Sequence, residues 1–327
     1  MSKFWLIVAQ IFSAVLVLIG AVILFMPSER VERAGPFTGD VTDPEAYLAA
    51  REAAIDGITP GTGARIIWAA EPNETTPVSI LYLHGFSATS EEIRPVPDEV
   101  AAGLGANLIF ARLTGHGRDG AALAAATASD WVADTAEALA IARAIGDEVI
   151  VIGVSTGATL AAIAATEADM AESIAGIVMM SPNFLLAHPA GIVLEAPGAS
   201  VFLPWIAGAE REFEAQNADH QRFWTRRYPS VSVLSMAAVM RHARRRDYSV
   251  VDIPLLLIYA REDQVVSAEA AETIAAEWGG PTTVALQDLP ATGVDAFAHV
   301  IAGDILSPAM TATIRDQILS WAMTLRP

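Results

Sequence analysis

One nine-residue stretch narrows the possible folds more than any other part of the chain. Residues 149–157 read Val-Ile-Val-Ile-Gly-Val-Ser-Thr-Gly, and Ala-Thr-Leu-Ala-Ala follows. The run is apolar and β-branched, as a strand buried on both faces must be, and the Ala- and Leu-rich segment after it suits a helix. The turn joining them is so sharp that the residues flanking Ser155 must be small. Gly153 and Gly157 meet that need, because no Cβ is there to collide with nearby backbone. Such a turn lifts the Ser155 hydroxyl above the strand ends and leaves the Thr156 N–H at the positive end of a helix. The plain alternative is a β–α turn that merely needs two glycines, so the partner residues must decide.

The rest of the chain repeats this strand–helix rhythm. Apolar, β-rich runs occur at 64–69, 79–83, 107–113, 148–153, 176–180, 254–259 and 283–286, with Ala-rich helical stretches such as 129–145 and 156–168 between several of them. Continuous apolar strands separated by helices predict an α/β fold: a mostly parallel sheet with helices on both faces. The rhythm fails between 184 and 252, where no strand is evident and aromatic and Arg residues are frequent. That segment reads as an insertion, a helical lid carried on the sheet. The expected organisation is an anchor at 1–27, a linker and lead-in at 28–63 with one short helix near 45–54, core at 64–183 and 253–327, and the cap at 184–252.

The N-terminus carries the second strong signal. From Phe4 to Met26 no residue is charged, and Gln10 is the only strongly polar side chain. At about 1.5 Å rise per residue the run spans a hydrocarbon core of roughly 30 Å. A cleaved signal peptide would have an apolar region of about 7–15 residues and a small-x-small site. This run is longer and ends in Phe25, Met26 and Pro27, which favours an uncleaved transmembrane anchor over a signal or a buried core helix. Lys3 precedes the span, while Arg30 and Arg33 follow it among Glu29 and Glu32, so the count of basic residues leaves orientation open. The expectation adopted is a membrane-anchored protein with an exported catalytic domain.

A serine hydroxyl is a poor nucleophile until a base takes its proton. In a fold of this kind the partners follow in the chain order Ser, acid, His. Of six histidines, His84 and His116 precede Ser155, and His188, His220 and His242 fall in the lid. His299 lies beyond the last expected strand, where a loop returns toward the nucleophile. Asp263 follows the strand Pro-Leu-Leu-Leu-Ile-Tyr and would fix the His299 tautomer and stabilise the imidazolium, with Glu262 and Asp288 as competitors. A second oxyanion donor is expected from Leu83-His84-Gly85-Phe86, where Gly85 permits an unusual turn and the Phe86 N–H joins that of Thr156. The Phe86 side chain is then free to line a substrate pocket, and His84 braces the loop.

With these residues placed, the chain resembles the α/β-hydrolase superfamily, in particular its carboxylesterase and monoacylglycerol-lipase branch. The resemblance rests on Leu83-His84-Gly85-Phe86, Thr114-Gly115-His116-Gly117, Gly153-Val154-Ser155-Thr156-Gly157, Asp263 with Val265-Val266, and His299-Val300-Ile301. Trp131 and Asp134 are similar to a recurring Trp-x-x-Asp before the nucleophile strand. The likeness implies a cap after the sixth strand. Leu113-Thr114 replaces the usual Asp or basic residue ahead of Gly-His-Gly, and the acid loop reads Ala-Arg-Glu-Asp rather than Gly-x-x-Asp.

Composition removes other functions. A net charge of −18 excludes a nucleic-acid partner, because phosphate binding needs a basic face. The absence of Cys removes disulfides and thiolate catalysis. The reaction expected is cleavage of acyl esters, lipids included, by Ser155, His299 and Asp263 through an acyl-enzyme, without metal or cofactor. An amidase or peptidase with the same triad, and a membrane-tethered, non-catalytic binding protein, are the alternatives. Within the lid, an apolar stretch from Phe184 to Ile206 suits an acyl chain or core packing. Arg211, Arg222, Arg226, Arg227, Arg241, Arg244, Arg245 and Arg246 suit anionic lipid headgroups or local ion pairs.

Overall fold

A computed structural model describes residues 3–26, 28–32 and 35–325 of the chain. Pro27 and Arg33, used above to judge the end and orientation of the apolar run, lie outside them. Among the described residues nine strands run in chain order: β1 (Arg65–Ile67), β2 (Thr76–Leu83), β3 (Asn107–Phe110), β4 (Gly146–Val154), β5 (Ile174–Met180), β6 (Glu210–Glu212), β7 (Arg227–Pro229), β8 (Leu255–Tyr259) and β9 (Thr282–Leu286). Seven build one sheet in the order β1-β3-β2-β4-β5-β8-β9. Only β1 is antiparallel to its neighbour; every other pairing in this sheet is parallel.

The side-chain alternation of the strands splits the core in two. Leu81, Leu83, Val149, Val151, Ile177, Met179, Leu255 and Leu257 face one cluster, which helices Ala128–Ile145, Thr156–Ala165, Val233–Ala243 and Ala268–Glu277 complete. Ile80, Tyr82, Ile150, Ile152, Val154, Val178, Leu256 and Ile258 face the other, covered by helices Val96–Leu104 and Thr311–Thr324. Helices on both faces of a parallel sheet are what continuous apolar strands require. Each fully buried Leu or Ile in these clusters contributes roughly 1.5–3 kcal/mol of transfer free energy.

The insertion leaves the sheet after β5 and returns at β8. In chain order that is the fifth strand, one short of the expected sixth, because this sheet begins at β1 and no strand precedes Arg65 among the described residues. The insertion carries a 3₁₀ segment (Pro189–Glu195) and helices Ala199–Ala207, Ala218–Phe223 and Val233–Ala243, but it is not wholly helical. β6 and β7 form a small antiparallel pair within it. Their three-residue length and the exposed Glu-Arg-Glu of β6 leave no hydrophobic periodicity to detect. Several arginines of the cluster are partnered: Arg227 with Glu210, Arg244 with Glu195 and Arg246 with Glu167, while Arg226 donates to the Phe213 carbonyl and Arg241 to that of Glu29. Among the described residues ion pairing thus accounts for three of the eight.

The apolar N-terminal run is a helix from Lys3 to Phe25. Its window Trp5–Val22 is long and apolar enough to cross a membrane, and none of it is buried against the body. The chain just beyond is stitched down rather than loose. The Glu29 carboxylate accepts from the Ala128 N–H at 2.6 Å and the Ser235 hydroxyl at 2.9 Å, and Arg241 donates to the Glu29 carbonyl. The short lead-in helix runs from Pro44 to Ala53, capped by Asp43, which accepts from the Ala46 N–H.

Candidate active site

Each expected site residue follows the carboxyl end of a parallel strand. Ser155 comes directly after β4, Asp263 shortly after β8, and His299 on the loop that leaves β9. At Ser155 the backbone takes φ +51°, ψ −116°, a left-handed conformation rare for a residue with a Cβ. The glycines around it show what forces this. A Cβ on Gly157 would stand 2.1 Å from the Leu83 carbonyl oxygen, and one on Gly153 would stand 2.6 Å from Ala158 backbone. Strand, turn and helix are pressed together until no side chain fits. The Thr156 N–H is then the first of the following helix and has no acceptor inside it.

The loop after β2 lies against this turn. A Cβ on Gly85 would meet Glu92 Oε1 at 2.7 Å and Ser155 Cβ at 3.2 Å. Gly85 is therefore needed for close approach; its φ is not left-handed, so the unusual turn expected of it is replaced by a demand for space. His84 Nδ1 lies 2.9 Å from the Gly85 carbonyl oxygen, while the Leu113 N–H donates to His84 Nε2 at 3.2 Å. Those partners fix the tautomer with the proton on Nδ1. Burial pushes the pKa of His84 down to about 4, so the ring stays neutral and braces the loop. The Phe86 ring, half-buried, packs edge-on against Tyr228 of the insertion at 5.4 Å, and against His116 and Trp131 at 6.0 Å. Trp131 and Asp134 hold the neighbouring turn: the Trp131 indole N–H donates to the Thr114 carbonyl, and Asp134 accepts from the Thr114 N–H and hydroxyl.

Asp263 and His299 meet directly. Asp263 Oδ2 lies 2.8 Å from His299 Nδ1. The other oxygen of Asp263 accepts the N–H groups of Val265 and Val266 at 2.8 and 2.9 Å, which fixes the rotamer. Glu262 and Asp288, the competing acids, are exposed at the surface. Burial is the largest influence on His299 and disfavours its charged form; attraction and hydrogen bonding from Asp263, with Glu92 and Asp295 behind, outweigh it and raise the pKa above 6.5. No hydrogen bond joins Ser155 to His299 among the described residues. Contacts of this kind are often long without substrate and tighten in its complex.

Three residues of this neighbourhood escaped the sequence reading. Asp295 Oδ2 accepts the N–H groups of His299 and Val300 at 3.0 and 3.2 Å. Gln216, from the insertion, donates to Asp295 Oδ1 at 2.5 Å and accepts from the Ala296 N–H at 3.1 Å, tying cap to loop. Glu92 accepts the Gly85 N–H at 2.8 Å. An acid four residues ahead of a histidine is a local capping signal visible in sequence; nothing local marks Gln216 or Glu92.

Comparison with known proteins agrees with this fold. Residues 76–290 match the family described as serine aminopeptidase S33, a span holding Ser155 and Asp263 and ending short of His299. A thermostable monoacylglycerol lipase of a Bacillus species (strain H-257) is 26% identical over 216 residues, covering 64% of this chain and 80% of its own. Among solved structures, a metagenome-derived lipolytic enzyme superposes with a TM-score of 0.64 at 24% identity, covering 82% of this chain and 99% of its own. The monoacylglycerol lipase of Palaeococcus ferrophilus gives 0.59 at 15% identity, covering 81% and 99%. On fold, on the turn around Ser155 and on a family match spanning most of the sheet, the chain belongs to the serine aminopeptidase S33 family of α/β-hydrolases.

Proposed function

We propose that the chain hydrolyses carboxylic esters, monoacylglycerol-type lipids among them, with Ser155 as nucleophile, His299 as base and Asp263 as its partner, while the N-terminal helix holds it to a membrane. The observation that carries the proposal is the 2.8 Å contact of Asp263 with His299, at the sheet edge where Ser155 is held in strained backbone. His299 Nε2 takes the Ser155 proton as the hydroxyl attacks the acyl carbonyl. The N–H groups of Phe86 and Thr156 receive the oxyanion, a donor pair in which each member is worth on the order of 10²–10³ in rate. His299 then protonates the departing alcohol, and water cleaves the acyl-enzyme by the same route reversed. The Phe86 ring, beside Tyr228, lines the acyl side of the site. The lipases similar to this chain support an acyl-ester substrate.

A second reading has its own support. The family's description as aminopeptidases favours amide cleavage, and the same residues serve both reactions. Matched ester and amide substrates, with p-nitrophenyl esters of graded acyl length, separate them. The proposal expects ester turnover to exceed amide turnover by at least a hundredfold and to change with acyl length. Amide turnover equal to or above ester turnover would overturn it.

A further inference from the structure

Behind the loop that carries the Phe86 N–H lies a carboxyl that the scheme above does not use. Glu92 is 2% exposed and sits between β2 and the helix Val96–Leu104. Its Oε2 accepts the Gly85 N–H at 2.8 Å and the Tyr82 hydroxyl at 2.9 Å. Its Oε1 and Ser155 Cβ border the same missing Cβ of Gly85, at 2.7 and 3.2 Å. The charges of Glu92 and His299 also act on each other. One carboxyl thus holds the loop, borders the back of Ser155 and acts on His299 through its charge.

Two consecutive peptide planes are held here. The His84 ring fixes the Gly85 carbonyl. In a trans peptide the Phe86 N–H points the opposite way from that carbonyl, so its direction is set as well. Glu92 fixes the plane before it, through the Gly85 N–H. A glutamine oxygen would accept the same two bonds without the cost of burying a charge. What a glutamate adds is the charge itself, and the imidazole of His299 is the group in this pocket that becomes positive during the reaction.

We propose that Glu92 is a positioning residue for the hydrolase reaction: it clamps the peptide preceding the Phe86 N–H and sets a negative charge beside His299. The inference rests on the ester-hydrolase reading above. Burial raises the Glu92 carboxyl to about 7, against the pull of the Gly85 N–H, the Tyr82 hydroxyl and His299. The other titratable and charged groups facing the pair are Tyr82 from β2, His84 on the loop, Glu91 alongside, and Asp263 and Asp295 on the loops that hold His299. Glu91 is itself paired with Arg65 and Arg94. Because a neighbouring negative charge holds a proton on histidine, removing it lowers the pH at which His299 becomes free to act.

The test is the pH profile of kcat/KM on a soluble ester for the full chain in detergent. Glu92→Gln should move the acid limb down by half a pH unit or more and lower the plateau two- to fivefold, since an amide is the weaker acceptor. Tyr82→Phe, which withdraws one donor from the carboxylate, should move the limb the same way by less. Glu92→Ala, which frees the Gly85 N–H, should cut kcat ten- to a hundredfold with KM little changed. An acid limb unmoved in Glu92→Gln would overturn the charge role, and an undiminished kcat in Glu92→Ala would overturn the clamp. If Glu92→Ala fails to fold, Tyr82→Phe and Glu92→Gln still decide the charge role, and Glu92→Met, which fills the space but accepts neither bond, decides the clamp: an undiminished kcat overturns it. Fluorophosphonate labelling of Ser155 in Glu92→Gln keeps the two failures apart: labelling with an unmoved limb defeats this inference alone, whereas loss of all Ser155 reactivity in the wild type defeats the hydrolase reading.

Discussion

The proposed nucleophile, Ser155, and its proposed base, His299, are held in position by opposite means. Around Ser155 the restraint is steric: backbone from three segments closes on Gly153 and Gly157 until no Cβ fits. Around His299 the restraint is polar: Asp263, Asp295, Ser307 and Gln216 hold a loop with no regular structure by hydrogen bonds. A steric turn is rigid and intolerant, and its failure is a failure of folding. A polar loop is adjustable, and its failure appears as lost alignment in a protein that still folds. Rigidity at Ser155 and adjustability at His299 suit the proposed mechanism, in which the imidazole serves two oxygens in turn.

That contrast is broken most severely at Gly157. Gly157→Ala would drive a methyl to within 2.1 Å of the Leu83 carbonyl oxygen, which no rotamer relieves. The expected outcome is loss of the folded protein, or a destabilisation above about 4 kcal/mol, read by soluble yield and thermal melting. A glycine replacement that left stability and activity intact would show the turn is not steric. Asp263→Asn comes next and should separate alignment from folding. Asparagine keeps an oxygen for the Val265 and Val266 N–H groups but supports the wrong His299 tautomer, so kcat should fall by about 10³–10⁴ with little change in Tm. The smallest of the three is Asp295→Ala. It strands the N–H groups of His299 and Val300, for a loss of about 2 kcal/mol, a Tm lower by about 4–8 °C and roughly tenfold less kcat. A loss confined to Tm would mean that Asp295 serves the fold alone.

The same contrast explains what was legible in the sequence. The sheet, the order of Ser155, Asp263 and His299, and the glycine turn are local patterns: apolar runs, a tight motif, a loop after a strand. Gln216 meets Asp295 across 79 residues, and Glu92 is one acid of a Glu-Glu pair in a polar stretch, so neither leaves a local trace. β6 and β7 leave no trace for a related reason: strands of three residues are too short to show a period, and those of β6 are all exposed. The Arg-rich insertion reads as basic because its ion pairs are not local in sequence: Arg246 meets Glu167 outside the insertion, and Arg244 meets Glu195 across 49 residues.

The central claim is that Ser155 is activated by a histidine held by Asp263. Its most direct test is the rate of covalent labelling by a fluorophosphonate, followed by mass spectrometry as a function of pH. Because Asp263 and its neighbours raise His299 above 6.5, the labelling rate should fall as pH drops through a midpoint above that value. The ion pair's contribution to stability runs the other way, full below 6.5 and lost as pH rises through the folded value. Label is expected on Ser155 in the wild type, none in Ser155→Ala, and a rate lower by about 10³ in His299→Ala. Labelling that persists in Ser155→Ala, or that is indifferent to the loss of His299, would contradict the account.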